Sequence, residues 1–174
     1  MARPATTVAS VRGVCFGGGF ELAMSTDLIV AGSSARFRFV EKSIGMPPFA
    51  GGVQRLAERV GRAAATKLVF MSEELSAEQA ANLQIVAFVV DDADLAERSA
   101  KLARDLASGP TRAHAVSKSL LRAWAAGGVT AADSLLGQLV IDLFDTDDVK
   151  GALASAVRAL ENGTPRPDLD FAGH

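Results

Sequence analysis

Apolar residues fall into short blocks over the first hundred positions and into helical periods after that. Val8 to Val11 reads as a short buried strand, with apolar character continuing to Val14. Glycines follow, then a short helix from about Gly19 to Ser25. Leu28 to Ala31 is a second apolar block of strand length, and Ala35 to Phe39 alternates small or aromatic residues with arginine, as a half-buried strand does. Gly45 to Gly52, with two prolines and three glycines, predicts a loop. Helices are predicted over Gly52 to Val60 and Arg62 to Met71.

Ser76, Ala77, Glu78 and Gln79 fit a capping box, in which serine accepts from the third helical amide while glutamine reaches back. That opens a helix ending near Asn82. Ile85 to Val90 is continuously apolar and predicts a buried strand. Asp94 to Ser108 is amphipathic, and Gly109-Pro110 stops it. Beyond Pro110 the pattern is helical: Arg112 to Ala125, Thr130 to Phe144 and Asp147 to Asn162, with Thr130 and Thr146 as candidate N-caps and an irregular tail over Thr164 to His174. The predicted class is α/β, with strands and helices mixed over residues 1–108 and a helical region over 109–174.

Composition narrows the partners. The 174-residue chain is 49% hydrophobic with net charge −2, which gives no electrostatic case for nucleic acid or an anionic membrane. No run of about 18 apolar residues suggests a membrane span, and MARPATTVASVRG lacks the pattern of a signal peptide. Cys15 is the single cysteine and reads as a buried, inert thiol, consistent with a cytoplasmic, reducing location. Two distant histidines and one cysteine offer no metal-ligand spacing.

The candidate chemistry begins at Gly17-Gly18-Gly19. A strand, a bare turn and a helix start together make an anion site. A phosphate-binding Walker loop needs a lysine, and none precedes Lys42; the dinucleotide fingerprint fails at Leu22; no Gly-x-Ser-x-Gly elbow is present. What remains is a turn whose amides could hold an oxyanion, with Glu21 close behind and Glu41 20 residues further on. Two carboxylates meeting in an apolar pocket can hold different protonation states. The plain alternatives are a tight turn that lets helix and strand pack closely, and for Glu41 a solvated strand end.

The stretches GGGFELAMSTDL, ARFRFVEKSIGMPPFAGGVQRL and LSAEQAANLQIVAFVV resemble the enoyl-CoA hydratase/isomerase, or crotonase, family. The resemblance implies a crotonase-type β/α spiral core over residues 1–108, incomplete at its N-terminus because the upstream strand–helix units of the family are not present. The helices of 109–174 resemble the family's trimerising region, which implies a homo-trimer or hexamer, and Trp124 is a candidate packing or interface residue. It further implies an acyl-CoA thioester as substrate, with coenzyme A part of that substrate and no separate cofactor or metal. The Gly18 amide matches one oxyanion donor, while the missing segment normally supplies the other. Glu21 and Glu41 match the family's two glutamates, Glu41 as proton donor to C2 and Glu21 as activator of water, although the sequence itself leaves the two roles interchangeable. Gly17, Phe20, Phe39 and Pro48 are candidate substrate-binding positions. Both acids together favour hydration of a trans-2-enoyl-CoA. The alternatives are double-bond isomerisation and a non-catalytic acyl-CoA-binding or assembly relative.

Overall fold

The computed structural model describes residues 5–173; the leading residues 1–4 and the last residue of the irregular tail lie outside that range. The chain packs as two compact units, residues 7–103 and residues 104–173 with residues 5–6.

In the first unit the order is β1 (Val8–Val11), β2 (Val14–Phe16), α1 (Gly18–Met24), β3 (Leu28–Gly32), β4 (Arg36–Arg38), a 3-10 turn (Glu41–Ile44), α2 (Gly52–Met71), β5 (Leu75–Ser76), α3 (Ala77–Asn82), β6 (Phe88–Val90) and α4 (Leu95–Ala107), which runs across the division. Successive strands feed two small sheets. One is parallel in the order β1-β3-β6; the other is β2-β4-β5, with β2 parallel and β5 antiparallel to β4. Gly13, at φ +65°, separates β1 from β2, so the apolar block from Val8 to Val14 supplies both sheets. Central β3 carries Ile29, Val30 and Ala31, all fully buried, as a parallel strand flanked on both edges requires. Ile29 and Ala31 pack with Phe20, Met24, Phe37, Phe39 and Leu56 in one core. Each of the larger of these side chains stabilises by about 1.5–3 kcal/mol through apolar burial.

Two helical expectations are met with one refinement. α2 is continuous in hydrogen bonding but breaks its torsions at Gly61 (φ +77°), where the two predicted helices join. Ser76 and Gln79 form the capping box in full. One expectation is corrected. The strand over Ile85 to Val90 shrinks to Phe88–Val90, because the amides of Ile85 and Val86 donate to Ala80 O and close off α3 instead. Gln84, at φ +60°, makes that reversal. The Arg59 guanidinium then fastens three elements together. It donates to Met24 O (3.1 Å) and Thr26 O (2.9 Å) at the end of α1, and to Ile85 O (3.1 Å) ahead of β6. Burial pulls Arg59 below the usual guanidinium range.

The second unit holds α5 (Thr111–Phe144) and α6 (Asp147–Asn162). α5 breaks its torsions at Gly127 and Gly128, and Thr130 lies inside the helix past that break rather than capping a new one. Thr146 does cap α6, accepting from the Val149 amide at 3.3 Å, with Asp147 and Asp148 in the first turn. The irregular tail is pinned: the amides of Ala172 and Gly173 donate to the Asp148 carboxylate at 2.8 and 2.9 Å. Among the described residues no helix is long and apolar enough to cross a membrane.

Candidate active site

Gly17 is the junction. It sits at φ +52°, donates its amide to Arg38 O of β4 at 2.9 Å, and accepts from the Glu21 amide at 3.0 Å. A Cβ placed on it would lie 2.9 Å from Glu41 Oε1 and 3.2 Å from Val40 Cγ2. Both its torsion and its neighbours therefore require glycine. Gly18, the next residue, is the first of α1 and is exposed. A helix's first amides have no carbonyl one turn back, so they point outward at the positive end of the helix dipole.

Glu21 stands in the first turn of α1 and is 1% exposed. Its Oε1 accepts from the Ala50 amide and from the Gly52 amide, each at 2.8 Å. The second of those amides opens α2, so the carboxylate ties the two helix starts together across the 45–51 loop. Gly52 is held against it: a Cβ there would lie 2.8 Å from Glu21 Cγ, Glu21 Oε1 and Phe39 Cε1.

Glu41 follows β4 by three residues and opens the 3-10 turn, so it is not the end of a strand. It is 6% exposed, which rules out the solvated reading. Its Oε1 lies over Gly17, while Oε2 is buried and has no hydrogen-bond partner among the described residues. A buried polar atom left unpaired costs stability, and such atoms recur where a reacting group is to be met. The Glu41 carboxyl thus borders Gly17 at the start of α1, while the Glu21 carboxyl borders Gly52 at the start of α2 and only the Glu21 backbone amide meets Gly17.

A cavity of about 410 Å³ is lined by Phe39 and Lys42, which stand on either side of Glu41 in the chain, and by Met46, Pro48, Val69 and Phe70. Phe39 and Pro48 are thereby on a cavity wall. Phe20 is in the core, its ring centroid 5.2 Å from Phe37 and 4.9 Å from Phe39. The backbone amides of Ala50 and Gly52, and the wall residues Val69 and Phe70 of α2, carry no signature in the sequence. The glycine-rich GMPPFAGG stretch marks a loop there but not the carboxylate its amides meet. The Cys15 thiol is buried, and that burial pushes it up to about 11. Among the described residues no cluster of three His, Cys, Asp or Glu side chains is placed to hold a metal ion.

The profile of the enoyl-CoA hydratase/isomerase family matches residues 2–166. A short-chain-enoyl-CoA hydratase of Clostridium acetobutylicum is 31% identical over 150 residues, covering 86% of this chain and 58% of its own length. A carnitinyl-CoA dehydratase of Salmonella typhi is 38% identical over 116 residues, covering 67% and 44%. In three dimensions, an enoyl-CoA hydratase subunit I of Geobacillus kaustophilus superposes with a TM-score of 0.86 at 32% identity, covering 98% of this chain and 64% of that one. The chain belongs to the enoyl-CoA hydratase/isomerase family and has the crotonase fold its sequence resembles. The matches span between 44% and 64% of the length of these relatives.

Proposed function

We propose that this chain carries enoyl-CoA hydratase chemistry, adding water to the double bond of a trans-2-enoyl-CoA. The observation that carries the reading is the pair of buried acids near the start of α1: Glu41, whose carboxyl lies against Gly17, and Glu21, in the first turn of α1, whose carboxyl is held by the amides of Ala50 and Gly52.

Addition at C3 of a conjugated thioester drives charge onto the carbonyl oxygen. The outward amide of Gly18 is the donor for that oxygen, fixed before the charge develops. Glu21 Oε1 is already an acceptor for two amides, which suits the carboxylate that takes a proton from water as its oxygen bonds to C3. Glu41 Oε2 meets no donor, which suits the acid that delivers a proton to C2. One proton is taken and one given, and exchange with solvent restores both groups. The cavity with Phe39, Lys42 and Pro48 on its wall is the site for the acyl chain. Gly17, without a side chain, lets the Glu41 carboxyl lie against the turn that the thioester approaches. Coenzyme A enters as part of the substrate, so no separate cofactor takes part. The exposed apolar positions of α5 support a homo-oligomer, and the family resemblance makes it a trimer or hexamer.

The test is hydration of crotonyl-CoA, followed by loss of the conjugated thioester absorbance. Glu21→Gln and Glu41→Gln are each expected to lower kcat by about 10²–10⁴-fold. A folded wild-type chain that turns over no short, medium or branched enoyl-CoA would overturn the proposal. Retained isomerisation in Glu21→Gln would redirect it to the isomerases.

A further inference from the structure

α2 ends on Ser72, whose backbone takes the left-handed conformation (φ +56°, ψ +42°). Glycine is the residue that ordinarily ends a helix this way, because it carries no Cβ. Closing α2 does not need the hydroxyl, since the Ser72 backbone amide already satisfies Leu68 O. The side chain is buried and does something else. Its Oγ donates a short hydrogen bond to Phe39 O and accepts from Arg38 Nε at 3.1 Å.

Those partners are the residues that place Glu41. The Arg38 carbonyl receives the Gly17 amide at 2.9 Å, and Gly17 is the residue Glu41 Oε1 lies against. Phe39 packs on Phe20 of α1 and bounds the space at Gly52 that Glu21 occupies. Val40, next in line, precedes the 3-10 turn that Glu41 opens. The peptide leading into that turn is therefore clamped from one side by Ser72 and from the other by Gly17.

From this we infer that Ser72 is a positioning residue for Glu41: its hydroxyl bridges Arg38 and the Phe39 carbonyl and so sets the backbone from which the Glu41 carboxyl reaches the Gly17 turn. The inference rests on the hydratase reading for its kinetic consequence but not for its geometry. The competing view is that Ser72 does no more than satisfy one buried carbonyl.

Two variants separate these. Ser72→Gly and Ser72→Ala both lose Oγ, but glycine accepts the left-handed backbone and alanine does not. Positioning makes the two alike in activity: kcat for crotonyl-CoA falls by about 10- to 100-fold in both, with KM within about twofold of wild type, as expected for a displaced reacting group. Their thermal stabilities diverge, with Ser72→Gly melting higher than Ser72→Ala. A Ser72→Gly protein with wild-type kcat overturns the inference. If the wild-type protein hydrates no enoyl-CoA, the hydratase reading has failed by itself, and the carboxyl carbon of Glu41 decides the geometry. In protein labelled with 13C at the glutamate carboxyl and assigned through Glu41→Gln, the Glu41 resonance should move by the same amount in both variants while that of Glu21 stays. A Glu41 signal unmoved in both overturns it.

Discussion

A methyl group makes the sharpest probe of this site, because the glycines around it differ in what they tolerate. On Gly52 it would lie 2.8 Å from three buried atoms of Glu21 and Phe39, neither of which has room to yield. Gly52→Ala is expected to destabilise the fold by about 1–3 kcal/mol, as over-packing does, and to remove hydration activity by displacing Glu21. Gly17→Ala should lose both as well, through its positive φ and the contact with Glu41 Oε1. Gly19 is exposed with open space at its Cβ, so Gly19→Ala should raise stability by about 0.5–1 kcal/mol, since alanine is the better helix former. Urea denaturation of the three variants checks the ordering. Cys15 tests burial by a different route. With its thiol pushed up to about 11 from 9.0, the folded state keeps its proton where the unfolded chain has lost it. Below pH 9 the thiol leaves stability unchanged; as pH rises from about 9 towards 11, stability should fall relative to Cys15→Ala. At pH 8 a thiol reagent should label Cys15 only on unfolding.

Among the elements, the tie that deserves a test is Arg59. Its guanidinium serves three carbonyls, two at the end of α1 and one ahead of β6. Arg59→Met keeps most of the apolar stem but leaves those carbonyls without their donor. A loss of about 1–3 kcal/mol in chemical denaturation is expected, and a smaller one would mean that water replaces the bond. Nothing in the sequence marks this arginine, whose partners lie 26 to 35 residues away. The same holds for Ser72 and Arg38, 34 residues apart, and for the amides that hold Glu21. Local chemistry, by contrast, was legible. The capping box at Ser76 and Gln79, the break at Gly61 and the cap at Thr146 each follow from residues within one turn of each other. Strands of two or three residues such as β2 and β5 are too short to show a period, so both were missed. Ile85 and Val86 are buried as their apolar character implies, yet their amides turn back to α3, a choice that burial alone does not encode. At the site, the glycine turn and both acids could be picked out from spacing and resemblance. The 3-10 turn under Glu41 and the cavity wall contributed by α2 depend on tertiary packing.

For the molecule as a whole, α5 raises the question of assembly. It is 34 residues long and none of them is buried in the single chain. A helix gains most of its stability by burying an apolar face, so one this long without such a face is out of balance alone. Leu121 (67% exposed) and Trp124 (50% exposed) lie three positions apart, on neighbouring rows of the helix surface, and Leu136, Ile141 and Phe144 are exposed beyond the glycine break. Aromatic and leucine side chains in such numbers are the composition of an interface core. A net charge of −2 offers little repulsion against self-association. The proposed trimer or hexamer gives these residues a place. Light scattering should then report three or six times the 18.0 kDa chain mass. Introducing Leu121→Glu and Trp124→Glu together should shift the particle to smaller species, because charge in a buried apolar contact is costly. Far-ultraviolet circular dichroism should be retained at α4 and α6 levels while α5 loses part of its helicity once its partner is gone. A wild-type protein that runs as a single chain at micromolar concentration, with α5 fully helical, would overturn the assignment of this face to self-association.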